Sequence, residues 1–137
     1  MKKVLLLLLL VLLSCSKDEV KITPNESKIT TSAIEVIEQI RQLYQQHDKS
    51  ALKELSTPEG YLGYLSATKD FDTASLTFTP KRVDVMDSTI EVNVAWKGTW
   101  KNGDNESNEK GLCIFVLTRQ PIKLMQIRRE NPFNYPQ

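Results

Sequence analysis

The stretch Thr89-Ile90-Glu91-Val92-Asn93-Val94-Ala95-Trp96-Lys97-Gly98-Thr99-Trp100 decides the fold. Ile90, Val92, Val94, Trp96 and Trp100 occupy every second position, with Gly98 the one exception, while Glu91, Asn93, Lys97 and Thr99 take the opposite side. Successive side chains of a strand point to opposite faces, so this pattern reads as a long strand with one face buried and one face wet. C-terminal to it, the polar run Lys101 to Glu109 contains Asn102-Gly103 and reads as a hairpin loop. Gly111 to Arg119 is the most continuously apolar segment, which predicts a strand in mid-sheet. Gln120-Pro121 turns the chain, and Ile122 to Arg129 forms the last strand. Its alternation slips between Leu124 and Met125, which predicts a bulge. Residues 132–137 read as an extended tail. On the N-terminal side, Met86-Asp87-Ser88 is a turn. Before it, Val83 and Val85 alternate with Arg82 and Asp84, and Leu76 and Phe78 with Thr77 and Thr79, with Pro80 interrupting.

Upstream of Ser75 the period becomes helical. Ser32-Ala33-Ile34-Glu35 has the hydroxyl and the carboxylate of a capping box. Ile34, Ile37, Ile40 and Tyr44 continue as an apolar stripe, with Ala33, Val36 and Leu43 beside it, on a helix over about 33–47. Asp48 caps a short second helix through Leu52 and Leu55. Thr57-Pro58-Glu59 opens a third, with a hydroxyl cap, Pro at N1 and an acid in the first turn. Gly60 and Gly63 weaken that helix by up to ~1 kcal/mol each relative to Ala, and both suit a close approach. Residues 66–74 read as a loop. Helices followed by strands predict an α+β domain over 32–131, with N-terminal helices packed on a curved antiparallel sheet of about four strands in a roll-like arrangement.

The start of the chain is of another kind. Lys2 and Lys3 precede an unbroken apolar run from Val4 to Leu13. A membrane span needs ~20 apolar residues, so this shorter run reads as a secretory leader. Leu12-Leu13-Ser14-Cys15 then resembles the lipobox of bacterial lipoproteins. That resemblance implies a signal peptide over 1–14, cleavage between Ser14 and Cys15, and lipid on the Cys15 sulfur. The implied partner is a membrane, reached through that lipid, since several acyl chains hold far more firmly than one. Residues 15–31 are polar and read as a flexible tether. Within them Lys17-Asp18-Glu19 resembles a signal that sends lipoproteins to the outer face of the outer membrane. An ordinary soluble tether, leaving the domain on the periplasmic face, is the alternative.

The order of elements is similar to the nuclear-transport-factor-2-like, or cystatin-like, α+β roll. The similarity rests on Ile34 to Tyr44, Asp48 to Leu52 and Ser56-Thr57-Pro58. It implies a cone between sheet and helices that in the enzymes of that superfamily holds an Asp/His or Asp/Tyr pair. Here no convincing pair stands out. His47 falls at the polar end of the first helix, where it suits the last carbonyls, Asp84 lies on the wet side of its strand, and Asp70 and Asp72 fall in a loop. No metal-ligand set, Gly-rich phosphate loop or nucleophile elbow is present, so neither catalytic residues nor a cofactor are assigned. Cys113 lies in an apolar run and reads as a small core residue.

The chain has 18 Lys+Arg and 17 Asp+Glu. Losing Lys2 and Lys3 with the leader leaves 16 against 17, a net −1, which disfavours nucleic acid as a partner. The candidates for contact with a ligand or protein partner are the aromatics Tyr61, Tyr64, Trp96 and Trp100. Trp100, at a strand end, is the member expected at the surface. Asp72-Thr73-Ala74 and Asp87-Ser88-Thr89 resemble sites of a bacterial O-glycosylation system, which would modify Thr73 and Ser88. The expectation is a lipid-anchored, non-enzymatic binding or accessory domain; a small roll-fold enzyme with an acid/base in its cone is the alternative.

Overall fold

The computed structural model describes residues 24–137. Three helices come first, α1 (Pro24–Gln45), α2 (Lys49–Glu54) and α3 (Pro58–Ala67). Four strands follow, β1 (Thr73–Val85), β2 (Thr89–Asn102), β3 (Asn105–Thr118) and β4 (Leu124–Arg129), and a single 3₁₀ turn at Pro132–Asn134 ends the chain. The strands form one antiparallel meander in the order β1-β2-β3-β4, with the helices packed against it. The fold is α+β, as the change of period predicts.

β2 carries the core. Its even-numbered residues from Ile90 to Trp100 are all buried, including Gly98. Gly98 therefore does not break the alternation. A methyl there would stand 2.6 Å from Leu76 Cδ2 and 2.6 Å from Trp100 Cη2, because the Trp100 ring lies back across that position. Against this face α1 lays Ala33, Ile37, Ile40 and Tyr44, with Ile29, Val36 and Leu43 at the margins. The expected stripe holds at Ile37, Ile40 and Tyr44, and at its start Ala33 is buried while Ile34 is only half-buried.

Both caps expected after α1 are made. Asp48 accepts the Ala51 N–H (3.0 Å), and Thr57 Oγ1 accepts the Gly60 N–H (3.1 Å), with Pro58 at N1. α1 itself ends through His47, which takes φ +57° while its N–H bonds to the Tyr44 carbonyl (3.1 Å) and the Asp48 N–H to that of Leu43 (2.9 Å). This double bond pattern closes a helix through a left-handed residue.

Several boundaries differ from the sequence reading. α1 begins at Pro24, so Ser32 is an exposed mid-helix residue and residues 24–31 of the expected tether are helical. The sequence offers a second start there, Thr23-Pro24-Asn25-Glu26, in the same hydroxyl–Pro order that opens α3, with Glu26 in the first turn. The 66–74 loop shrinks to 68–72. β1 is one strand despite Pro80. It lies at the sheet edge, where a missing N–H is tolerated, and its register slips between Pro80 and Arg82. The loop expected over 101–109 is a tight hairpin instead. Asn102 pairs with Asn105, and Gly103 takes φ +61° at the first turn position. Past Trp100 the strands project beyond the core and both faces are wet, so no apolar alternation marks them. β4 does carry the expected bulge: Leu117 faces Leu124 and Val116 faces Gln126, leaving Met125 as the extra residue.

The α1 helix covers one sheet edge, and the α2–α3 connection covers the other through a parallel bridge between Ser56 and Leu124. On β1, the Leu76 N–H bonds to Gln45 Oε1 (2.6 Å) and its carbonyl accepts from Arg41 (2.9 Å). Arg41 is itself held by Gln45 and by an ion pair with Glu38. On β4, the Leu124 N–H bonds to the Leu55 carbonyl and the Leu124 carbonyl accepts the Thr57 N–H, both at 2.8 Å. Edges covered in this way cannot pair with another chain at those points.

Candidate functional site

The cone between helices and sheet is where the roll resemblance places a catalytic pair. The chain's own C-terminus fills it. The tail expected to be extended forms the 3₁₀ turn, and Phe133 is 0 % exposed. Its ring centroid lies 4.6 Å from that of Tyr44, 5.3 Å from Tyr64, and 6.4 Å from both Phe78 and Phe115. Several local features put it there. Arg129 takes φ +68° and turns the chain off β4. The Glu130 carbonyl accepts from Trp96 Nε1 (2.8 Å), and Glu130 Oε2 accepts the Leu112 N–H (2.7 Å). Asn131 Oδ1 then caps the turn through the Phe133 N–H (2.9 Å). The domain thus extends past 131 to include the tail.

This packing decides the aromatic candidates. Trp100 is 1 % exposed, which overturns its expected place at the surface. Its Nε1 donates to the Tyr44 hydroxyl (2.7 Å), which in turn donates to the Tyr135 carbonyl (3.3 Å). The hydrogen bond offsets the cost of taking the indole N–H out of water, and the Tyr135 ring seals it from outside, 5.5 Å from Trp100 and 5.3 Å from Trp96. Trp96 and Tyr64 are buried too. Of the four, Tyr61 alone keeps a half-exposed ring, stacked on Tyr64 with Lys53 Nζ 5.9 Å from its centroid.

Burial also sets the titration of this core. It pushes the Tyr44 and Tyr64 hydroxyls above their ordinary 10.0 and the Cys113 thiol from 9.0 up to about 12. All three are raised by folding, so their contribution is fully present below the unfolded values and is lost as pH climbs through them. We expect the urea midpoint to stay level up to about pH 9 and to fall steadily toward about pH 12. A midpoint that held level to the top of that range would contradict the burial of these groups. Cys113 otherwise behaves as the small core residue its surroundings predicted.

Of the titratable residues singled out as acid/base candidates, His47 and Asp70 line one small cavity of about 50 Å³ with Tyr44 and Tyr64, but no side-chain hydrogen bond joins them. His47 stacks on Phe71 (4.4 Å) and its Nε2 faces the Asp72 carbonyl oxygen at 3.3 Å, while the Asp72 carboxylate accepts the Gly103 N–H (2.7 Å) and so pins the hairpin tip. The Asp70 carbonyl accepts from Asn102 (3.4 Å), and Asp84 is bonded to Arg82 (2.8 Å). Among the described residues no three of His, Cys, Asp and Glu gather where a metal would sit. Thr73 is the exposed first residue of β1, paired with Lys101 rather than in a loop, and Ser88 is exposed in the β1–β2 turn. Ser14, Cys15, Lys17, Asp18 and Glu19 lie outside the described residues.

The sheet's outer face remains open, and sequence reading did not single it out. It holds a groove of about 730 Å³ over β1, β2 and β3. Two cross-strand rows line it: Ser75, Thr99 and Asn108 in one, Thr77, Lys97 and Lys110 in the other. Thr99 Oγ1 donates to Asn108 Oδ1 (2.6 Å), which leaves the Asn108 amide N–H groups as donors. Gly98 and Glu109, also at the groove, pair with each other and by strand alternation carry their substituents toward the other face. The signal in the sequence was the run of hydroxyls and lysines on the wet side of β1 and β2, which looks like any solvated face until the register aligns it with β3. No described helix is long and apolar enough to cross a membrane. Comparison of the chain with protein-family models, with curated proteins and with solved structures finds no match.

Proposed function

We propose that this chain is a bacterial lipoprotein that works by binding rather than by catalysis. Residues 1–14 are the leader, Cys15 carries the lipid, and 15–23 tether the domain. The observation that carries the binding reading is the position of Phe133. The interior that would hold a catalytic pair in a roll enzyme is occupied by the protein's own aromatic rings, while the outer sheet face is uncovered and grooved. Ligand sites are concave, and this groove of about 730 Å³ offers such a concavity, as does one of about 640 Å³ beside Arg82, Asp84 and Glu91. With α1 starting at Pro24, the linking segment spans at most about 30 Å fully extended. The domain therefore acts close to the bilayer, and Lys17-Asp18-Glu19 supports display at the outer face of the outer membrane.

Two measurements test this. Cys15→Ala should leave an uncut precursor of full-chain mass that no longer partitions with detergent; normal cleavage and membrane retention would refute the anchor. Amine labelling of Lys97 and Lys110 should be several-fold slower in native membranes than in purified protein. Equal labelling in the two settings would count against the sheet face as a contact surface.

A further inference from the structure

We propose that the groove binds a phosphate-type dianion between Lys97 and Lys110; this rests on reading the outer sheet face as the binding surface. The two lysines are directly opposite in the β2–β3 register. Like charges so placed repel and destabilise the pair. Other cations on the same face are partnered: Lys101 with Glu106 (3.6 Å), Arg128 with Glu91, and Arg82 with Asp84 (2.8 Å). Lys97 and Lys110 have no carboxylate partner among the described residues. The mature chain is near neutral, so this local excess is not a consequence of overall charge.

The neighbours complete the chemistry. Thr77 flanks Lys97 in register, Ser75 stands one row away, and the Asn108 amide has its oxygen occupied by Thr99. The free groups lining the groove are thus ammonium, hydroxyl and amide N–H donors. A constellation of donors around two adjacent positive charges matches an oxyanion with several acceptor oxygens, since charge-assisted hydrogen bonds are the strong ones. Two unpartnered cations are balanced by a dianion, which selects a phosphate monoester or inorganic phosphate over a monocarboxylate. Such a group could come from a lipid headgroup or from a soluble phosphate, and the same donors would take either.

The test titrates the full-length lipidated protein, in neutral detergent, with inorganic phosphate at low ionic strength while following backbone amide shifts. Saturable shifts should centre on Thr77, Lys97, Asn108 and Lys110. Lys97→Gln with Lys110→Gln should weaken binding at least about tenfold, and so should raising salt several-fold, because exposed charges are screened. The double variant should melt at or above the parent temperature without phosphate, since it removes a repulsion, and should gain nothing when phosphate is added. That readout separates lost binding from lost folding. Vesicles of phosphatidic acid in phosphatidylcholine, set against phosphatidylcholine alone, identify the source. Capture by the former assigns a headgroup, and a response to inorganic phosphate without capture assigns a soluble ligand. No saturable shift, equal affinity for acetate, or binding unchanged in the double variant would overturn the proposal. Slower amine labelling in native membranes without any phosphate response would leave the binding face standing and remove only the dianion.

Discussion

Phe133→Ala should cost about 3–5 kcal/mol of folding stability, the range for emptying a buried Phe site. The residue lies in a tail, 132–137, that reads as extended, so the size of the effect is diagnostic. Its ring touches residues from α1, α3, β1 and β3 at once, through Tyr44, Tyr64, Phe78 and Phe115. Removing it leaves a void that those rings cannot close together, because each is fixed from its own element. Domains of this size hold about 5–15 kcal/mol in total, so urea denaturation should show a large drop in midpoint or a loss of the cooperative transition. Asn134→Ala, at the exposed neighbour, should stay within about 0.5 kcal/mol. A Phe133→Ala loss below about 1 kcal/mol would mean that the cone is not filled by the tail, and the enzyme alternative would regain its pocket.

Gly60→Ala should also be severe, with Gly63→Ala as its internal control. In an ordinary helix either change gains about 0.8–1 kcal/mol, since Ala is the better helix former. At Gly63 nothing lies within 4 Å of the added methyl, so that gain should be realised. At Gly60 the methyl would stand 2.8 Å from the Leu124 carbonyl carbon, and closer still to its oxygen, with the Met125 Cα at 3.2 Å. These are backbone atoms and cannot swing aside. α3 would have to move away from β4, and the Thr57–Leu124 and Leu55–Leu124 hydrogen bonds that cover this sheet edge would go with it. Overpacking usually costs about 1–3 kcal/mol. With backbone on one side of the clash and two hydrogen bonds at stake, we expect a net loss of about 2 kcal/mol or more. Thermal melts of the two variants should therefore move in opposite directions. Parallel shifts would contradict the α3–β4 approach.

How far each element was legible follows from what its neighbours impose. β2 was read from its own residues because one face meets core and the other meets water, and that contrast prints a period of two. The caps at Asp48 and Thr57 were legible for a similar reason: a side chain bonding to a backbone N–H two or three positions on leaves its signature within one turn. The β2–β3 hairpin tip failed because its strands are wet on both faces, where backbone pairing holds them and no apolar pattern is left. The start of α1 was missed because Ser32 offered a capping box of its own. Propensity alone cannot choose between two starts, whereas packing of Ile29 on the core can.

The sequence by itself determined the α+β order, the helix caps and the bulge at Met125, since each depends on contacts within a few residues or on residue order alone. Only the tertiary structure decided that Trp100 is sealed inside, that Phe133 occupies the cone, that Gly60 and not Gly63 marks a close approach, and that Lys97 meets Lys110. These depend on which residues distant in sequence come together, through the register of β2 with β3 and the turn of the chain at Arg129. A period of two says that a side chain faces inward or outward. What it meets there is set by the neighbouring strand and by the packing above it.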